Sequence, residues 1–389
     1  MKRIQVIILL FGFLGGIISA SDLELSGYVR NYSGMYANDD YEFSILKNSF
    51  DLSMEYSSGK AALLANPYVN SDWSETGSLD FRELYIDLYY DTMDLRIGRQ
   101  QIIWGKGDGV FITDVVSPKN LEEFILPDFK EIRIGVNAAK VDYYLGNSTF
   151  ELIWVPQFTP NTMPDKNSIW NSLPIDFTSS DKDIESNLEN SEIFGRYSLM
   201  TSIMDIELVA ASMWDDEPVI TTQSPRQLDY KRLFMTGGSL SSTLGDFVLR
   251  MEGAFYNGKA FTDETGSLME SDCAHYLGGL DYSVSGYNLS TQFIQRVLLE
   301  YKDSMVNDQF DNTMTFMINK TFFRETLTTE FFSYVEYNDL NALLRPKITY
   351  DFDDGVSILF GANIFLGDSG TYGQFDSNDM LYTQLKFNF

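Results

Sequence analysis

The side chains that could carry chemistry in this sequence are charged residues that recur at every second position of apolar stretches. Around residue 250, Arg250 and Glu252 alternate with Leu249, Met251 and Gly253. This spacing places guanidinium and carboxylate groups in a row on one face of an extended chain. Such a row suits the selection of dissolved solutes along a pore wall, as in channels, better than catalysis at a single active site.

Catalytic and metal sites have few candidate residues. His275 is the only histidine and Cys273 the only cysteine. A His/Cys metal cluster therefore cannot be assembled within the chain, and a Ser–His–acid site would have to use His275. We expect His275 to be a polar residue on the inner wall of the barrel that is predicted below, and Cys273 to be an inert thiol. We accordingly expect no catalytic residue, no metal site, no cofactor and no enzymatic activity.

Two glycine-containing motifs are interpreted as turns. Residues 105–109 are rich in glycine but lack the Lys-Ser/Thr pair of a phosphate-binding loop, and residues 351–355 begin like a calcium loop without its distal glutamate. Acidic side chains also gather in two predicted external loops, where we expect them to be solvated. The alternative is that they bind calcium or magnesium shared with lipopolysaccharide phosphates. These residues are Asp181, Asp183, Glu185, Glu189 and Glu192, followed by Asp215, Asp216 and Glu217.

The N-terminus and the charge predict where the protein acts. Lys2 and Arg3 precede an apolar stretch that ends at Ile18-Ser19-Ala20, which is typical of a secretory signal peptide over residues 1–20. The predicted mature domain is residues 21–389, and loss of the two basic residues changes the net charge from −28 to −30. Such acidity argues against nucleic acid as a partner. The 29 Phe and 23 Tyr residues argue against disorder.

The elements that must position the charged rows are strands. A period of two extends over about ten residues in segments such as 247–256 and 356–364, and we assign the same pattern to residues 131–138. We predict tight polar turns at residues 57–59, 145–147, 243–246, 285–286 and 353–355, and long loops at residues 70–79, 104–130, 158–191, 215–229, 257–273 and 300–310. Because short and long connections alternate, we predict an all-β transmembrane antiparallel barrel of about 18 strands, with 16 as the alternative.

Aromatic pairs near the predicted strand ends indicate membrane–water girdles: Tyr89-Tyr90, Tyr143-Tyr144, Phe322-Phe323, Tyr350 and Phe352. The last strand places Leu381, Leu385, Phe387 and the terminal Phe389 on one face. This arrangement resembles the C-terminal signature of outer-membrane barrels. The resemblance implies that Leu385, Phe387 and Phe389 form an assembly signal for the barrel-assembly machinery.

A second resemblance lies between Asp94 and Pro118. Gly98-Arg99-Gln100, Trp104-Gly105, Asp108, Asp114-Val115-Val116 and Ser117-Pro118 resemble the Gly-Arg-Gln…Trp-Gly…Asp-Val-Val-Asn-Pro pattern of porin-like Gram-negative outer-membrane barrels, with Ser117 in place of Asn. The pattern is also distantly similar to alginate-export-type barrels. The resemblance implies a pore-forming barrel and fixes no substrate. The absence of a lysine-rich ladder argues against a polyanion exporter.

The alternation also assigns lumen residues. Arg99 breaks the alternation of Leu95 and Ile97, and we predict a β-bulge that turns it inward. The apolar loop from Trp104 to Lys130 is predicted to fold into the barrel or over its mouth, with a packed external cap as the alternative. The predicted pore or constriction residues are Arg96, Arg99, Asp108, Asp114, Glu83, Asp87, Arg133, Arg250 and Glu252. Other predicted lumen charges are Glu131, Glu151, Glu207, Asp281, Glu330, Glu336, Asp351, Arg196, Arg296, Arg345, Lys347 and Lys386.

The function that these features favour is a porin-like channel of the Gram-negative outer membrane for small polar solutes. A conduit for a hydrophobic or polymeric substrate is the first alternative, because the apolar 104–130 loop would offer it a guide. A surface adhesin is a further alternative, and a barrel enzyme is disfavoured by the single histidine. The expected partners are outer-membrane lipid and lipopolysaccharide, the assembly machinery, a small solute and, in one interpretation, two further copies in a homotrimer.

Overall fold

The computed structural model describes residues 23–37, 42–72, 77–171, 184–221 and 227–389. The predicted signal peptide lies outside these residues, as do Asp181 and Asp183. The strands are β1 (Leu23–Tyr36), β2 (Phe43–Ser58), β3 (Ala61–Asp72), β4 (Ser78–Tyr89), β5 (Met93–Gln100), β6 (Val136–Leu145), β7 (Ser148–Val155), β8 (Glu192–Met200), β9 (Met204–Trp214), β10 (Val219–Thr221), β11 (Gln227–Asp229), β12 (Arg232–Leu244), β13 (Phe247–Thr262), β14 (Leu268–Val284), β15 (Tyr287–Leu298), β16 (Phe310–Phe322), β17 (Leu327–Glu336), β18 (Asn341–Asp353), β19 (Val356–Leu366) and β20 (Met380–Asn388).

Eighteen of these strands form one closed antiparallel sheet, in which each strand pairs with its neighbours in the chain and β20 pairs with β1. The predicted all-β barrel of about 18 strands is confirmed. The small strands β10 and β11 form a separate hairpin between β9 and β12. Helical structure among the described residues is confined to α1 (Phe129–Ile132), α2 (Gly370–Gly373) and a 3-10 turn at Asp376–Asn378. None of the described helices is long and apolar enough to span a membrane.

The connections are sorted between the two ends of the barrel. Turns such as those at Gly59, Gly146 and Gly286 lie at one end of the barrel, together with the first residues of β1 and the last residues of β20. Gly27 and Phe389 exchange backbone hydrogen bonds of 2.9 and 3.0 Å there. The longer connections lie at the other end. The predicted loop over residues 257–273 is wrong, because β13 and β14 continue to Thr262 and from Leu268. Gly258, with φ +75°, lies in the bulge that lets β13 continue.

The two faces of the wall differ as the alternation predicts. On β13, Met251 and Phe255 are 51% and 38% exposed, whereas Glu252 and Tyr256 are buried. The predicted aromatic residues lie at the end that carries the short turns, and all are exposed except Phe322, which is half-buried. This position is the one that a girdle requires. On β20, Leu381, Leu385, Phe387 and Phe389 all point to the outer surface, each about half exposed.

The predicted strand over residues 131–138 is wrong. Residues 129–132 form the helical turn α1, and β6 begins only at Val136. Val136 and Ala138 are buried in an apolar cluster inside the barrel, while Asn137 between them is exposed. The face of this segment is therefore opposite to the one predicted. The apolar residues face inward because an apolar part of the 101–135 connection packs against them.

Candidate functional site

Residues 101–135, which connect β5 to β6, lie inside the barrel, and we call them the inserted segment. Trp104 Nε1 donates to Glu151 Oε1 on β7 at 2.7 Å, and Asp108 N donates to Gln292 Oε1 on β15 at 2.9 Å. Arg345 on β18 donates to the carbonyl of Leu126 at 2.7 Å. These contacts reach strands on opposite sides of the wall, so the prediction that this apolar loop folds inward is confirmed.

Glu252 on β13 is the most heavily bonded anchor of the inserted segment. Its Oε2 accepts from the backbone N–H groups of Lys106 at 2.6 Å and Gly107 at 3.0 Å. Its Oε1 accepts from the N–H and hydroxyl of Thr113 at 2.7 and 2.8 Å. Four donors around one buried carboxylate offset its desolvation. Gly105, with φ +84°, allows Glu252 to approach this closely, because a Cβ there would lie 2.6 Å from Glu252 Oε1.

A second anchor lies deeper, toward the short turns. Arg250 Nη2 donates to Asp108 Oδ2 at 2.6 Å and to Asp281 Oδ1 at 2.7 Å. Gln292 Nε2 donates to the carbonyl of Asp108 at 2.9 Å. Because Arg250 follows the start of β13 by only three residues, the tip of the inserted segment reaches well down the lumen.

One side of the inserted segment packs against the wall. Ile102, Trp104, Ile112, Val115 and Val116 form a buried cluster with inward-facing apolar residues of β6–β9 and β12–β15. The wall residues of this cluster include Ile153, Val155, Phe194, Val209, Met213 and Met235. Burial of each such side chain contributes roughly 1.5–3 kcal/mol. This half of the lumen is therefore filled, and the apolar side chains are not available to a passing molecule.

On its other side, the inserted segment leaves a polar cavity of about 470 Å³ against β1–β4 and β18–β20. The wall contributes five cationic side chains: Arg30, Lys47, Arg82, Arg345 and Lys347. The inserted segment contributes the carboxylates of Glu122, Glu123, Asp128 and Glu131, and the wall contributes that of Asp72. Hydroxyl and amide groups come from Tyr32, Tyr68, Asn70, Asn120, Tyr382 and Gln384.

Most of the charges in this cavity are matched. Arg30 Nη2 lies 2.9 Å from Glu131 Oε1, and Arg82 Nε lies 3.2 Å from Asp51 Oδ2. Lys47 pairs with Glu123, and Lys347 Nζ lies 3.4 Å from Glu330 Oε1. The fifth cation, Arg345, donates to uncharged acceptors, namely Asn363 and the carbonyls of Ile125 and Leu126.

The Arg30–Glu131 pair ties the inserted segment to the wall of the cavity. Burial alone would raise the pKa of the Glu131 carboxyl. Arg30, together with hydrogen bonds from Arg30 and the Tyr28 hydroxyl, outweighs burial and holds the pKa of Glu131 below its usual value. Glu131 is therefore ionised, and its charge is used in this pair.

The inserted segment also contributes to an aromatic cluster beside the cavity. Phe124 lies 5.0 Å from Phe375 and 6.1 Å from Tyr372, both in the connection after β19, and 6.3 Å from Trp170 (ring centroids). Phe124 has φ +56°, a conformation that is costly for a residue with a side chain. The cluster stabilises this conformation and packs three long connections together.

None of the nine predicted constriction residues lines the 470 Å³ cavity. Six of them belong to the inserted segment or bind it, and the other three, Asp87, Arg96 and Arg99, have their polar contacts at β4. Asp108, Arg250 and Glu252 anchor the inserted segment to the wall, and Asp114 and Arg133 pair within it at 2.5 Å. Glu83 accepts from Gln101 N at 3.0 Å, at the base of the segment.

Arg96 and Arg99 both form polar contacts with β4. Arg96 pairs with Asp87 at 2.7 Å, and Arg99 donates to the Phe81 carbonyl at 2.7 Å, so both bind β4. No bulge occurs at Arg99, because the pairing of β5 with both neighbours is continuous. The unusual backbone conformation lies at Gly98 instead, where φ is +136° and a Cβ would lie 2.3 Å from the Leu84 carbonyl oxygen.

Several cavity residues were missed in the sequence. Tyr28, Arg30 and Tyr32 do alternate with the exposed Val29, and this signal could have identified the inner face of β1. Glu122, Glu123 and Asp128 lie in irregular chain, where no periodicity marks an inner face. His275 faces the lumen as predicted and lines a smaller cavity of about 220 Å³ with Arg296 and Asp311.

Two of the acidic loop residues share a cationic neighbour. Lys259 Nζ lies 2.9 Å from both Asp215 Oδ2 and Glu217 Oε2. Within the described ranges, no group of three or more His, Cys, Asp or Glu side chains is arranged to hold a metal ion. Cys273 is a buried free thiol.

Comparison with known proteins places the chain in a family. A sequence model of the family described as "Protein of unknown function (DUF1302)" matches residues 31–322, about three quarters of the chain. The chain belongs to the DUF1302 family. No curated protein matches this DUF1302 member in sequence.

Solved structures share its fold. The Acinetobacter baumannii protein OccAB4 has a TM-score of 0.60 at 11% identity, over 95% of this chain and 97% of that chain. Pseudomonas aeruginosa OccK2 (OpdF), crystallised in complex with glucuronate, has a TM-score of 0.59 at 10% identity, over 95% and 98%. Pseudomonas aeruginosa OccK8 (OprE) has a TM-score of 0.58 at 11% identity, over 95% and 98%. At these identities the likeness establishes the 18-strand barrel fold of this DUF1302 member.

Proposed function

We propose that this DUF1302 protein is an outer-membrane channel through which small polar solutes diffuse, passively or with facilitation by the lumen side chains. The observation that carries the proposal is the polar 470 Å³ cavity between the inserted segment and β1–β4 with β18–β20. The opposite half of the lumen is filled by apolar packing, so we place the solute path on the side of this cavity. The solved structures with this fold are Gram-negative outer-membrane porins, which supports the same location and function.

The cavity also argues against the alternative of a conduit for a hydrophobic substrate. Such a conduit requires apolar side chains along the path. Three of the apolar residues that would form such a guide, Trp104, Ile112 and Val116, are instead buried, each residue at most 4% exposed. The proposal further includes insertion by the assembly machinery through the Leu385, Phe387 and Phe389 face, contact with lipopolysaccharide, and association as a homotrimer.

Ion conductance in planar bilayers tests the proposal, with a matched pair of variants on β20. Gln384 lines the cavity, whereas the next residue, Leu385, is 50% exposed on the outer face. Gln384→Trp should lower single-channel conductance because the larger side chain occupies the path. Leu385→Trp should leave conductance unchanged. A folded wild-type barrel without conductance, or equal effects of the two variants, would contradict the proposed path.

A further inference from the structure

We infer that the cavity selects neutral, polyhydroxylated solutes of monosaccharide size over anionic or cationic solutes of the same size. The inference rests on the proposed channel function and deepens it. Its basis is the internal pairing of the cavity charges, together with the uncharged hydrogen-bonding groups that remain. A cavity of about 470 Å³ lies within the range of about 300–1,000 Å³ typical of small-molecule sites.

An anionic solute finds no cation without a partner among the described cavity residues. Arg30, Arg82, Lys47 and Lys347 each have a carboxylate partner. Arg345 is held by the Leu126 carbonyl at 2.7 Å and the Asn363 side chain at 3.1 Å. To bind a solute carboxylate tightly, the cavity would have to open one of these contacts, which leaves a partly buried partner uncompensated.

A cationic solute is not favoured either. The lining of the cavity has five cationic and five carboxylate side chains, so neither sign of charge is in excess on the lining itself. Glu122 accepts a hydrogen bond from Asn120 Nδ2 at 3.2 Å. Asp128 interacts electrostatically with Arg30. Arg345 has no carboxylate among its hydrogen-bond acceptors. A cation entering this cavity meets fixed positive charges on the wall as well as the carboxylates.

The groups that remain suit hydroxylated carbon skeletons. No described residue hydrogen-bonds the hydroxyls of Tyr32 and Tyr68 or the side-chain amides of Asn70 and Gln384, and all four line the cavity. Hydroxyl and amide groups both donate and accept, as sugar hydroxyls require. The half-buried rings of Tyr32 and Tyr68 add apolar surface against which the C–H face of a sugar ring can pack.

The test compares three solutes of one size that differ in charge: glucose, glucuronate and glucosamine. Their entry into liposomes that contain the full-length protein is measured by osmotic swelling with balanced counterions. We expect glucose to enter about fivefold faster than either charged sugar, which corresponds to about 1 kcal/mol. Equal or faster entry of glucuronate or glucosamine would overturn the inference, as would no sugar entry through barrels that conduct ions. Barrels that conduct no ions would instead contradict the proposed channel.

A variant that removes one carboxylate should shift the preference of the cavity toward anionic solutes. Glu123→Gln removes the partner of Lys47 and frees one cation at the cavity. It should raise the ratio of glucuronate to glucose entry about fivefold. Glu264→Gln, in the exposed turn between β13 and β14, changes the net charge equally and should leave the ratio unchanged. An unchanged ratio in Glu123→Gln would show that paired cavity charges do not set the selectivity.

Discussion

Glu252 and Thr113 are joined twice across the lumen, through the backbone N–H and the hydroxyl of Thr113, at 2.7 and 2.8 Å. The two residues are 139 positions apart in the chain. Together with the amides of Lys106 and Gly107, this makes one carboxylate of the wall the main polar support of the inserted segment. The contact determines how rigidly the segment narrows the lumen.

Glu252→Ala should loosen the inserted segment while the barrel still folds. The substitution leaves several buried donors without an acceptor, and each unsatisfied group costs about 1–3 kcal/mol. Strand pairing does not involve this side chain, so heat-resistant folded barrel should form. We expect higher and noisier single-channel current. Glu270→Ala, on the exposed surface of β14, is the control, and identical traces from the two variants would refute the anchoring role.

Deletion of residues 107–121 should raise conductance further. The deletion removes Asp108, Thr113 and Asp114, and with them the contacts to Arg250 and Glu252. It also removes Ile112, Val115 and Val116 from the buried cluster, so the filled half of the lumen opens. Single-channel recordings of the folded variant test this. Unchanged conductance would show that the segment does not limit the current.

Much of the fold was accessible from the sequence because lipid and lumen impose a period of two. Alternation alone predicts Met251 and Phe255 on the outer face and Arg250 and Glu252 on the inner face, and the structure has them there. The closing strand was recognisable because its outer face is apolar up to Phe389. Both features depend on residues near one another in the chain, which periodicity can register.

The site was less accessible because its contacts join distant parts of the chain. Nothing near Glu252 indicates that its partners are Lys106 and Thr113. The cavity lies where irregular chain meets β1–β4 and β18–β20, and irregular chain has no period. Glu131 was expected inside as a strand residue, whereas it reaches the lumen from a helical turn of the inserted segment.

Acidification should release the Arg30–Glu131 contact. The pKa of Glu131 is depressed in the folded protein, so the contact is fully stabilising above the ordinary glutamate pKa of about 4.3. The stabilisation is lost as the pH falls through the depressed folded-state pKa. Conductance should therefore be constant from neutral pH down to about pH 5 and change in more acidic solution. Glu131→Gln should lack this component of the acid response, and a full wild-type response from it would assign the transition to other carboxylates.

The closing strand should tolerate charge according to depth. Leu385 lies several residues inside the chain end, whereas Phe389 lies at the rim, where its backbone bonds Gly27. A lipid-facing arginine costs about 2–4 kcal/mol at the midplane and about 0–1 kcal/mol near the interface. Leu385→Arg should therefore lower the unfolding free energy in bilayers more than Phe389→Arg. The reverse order would contradict the assigned depth.

In cells, removal of Phe389 tests the assembly signal separately, and normal levels of inserted barrel would refute that role.

Ion selectivity should be weak despite the net charge of −30 that residues 21–389 carry. The cavity has five cationic and five anionic side chains, and charges on the loops are screened over about 8 Å at physiological salt. Reversal potentials in a potassium chloride gradient should show only mild cation preference. Lys47→Gln, which leaves Glu123 unpaired at the cavity, should increase that preference. Lys60→Gln changes the net charge equally at an exposed turn, where the lysine side chain is 74% exposed, and should not alter the potential. Strong cation selectivity in the wild type, or equal shifts in both variants, would mean that charges outside the cavity control the ion path.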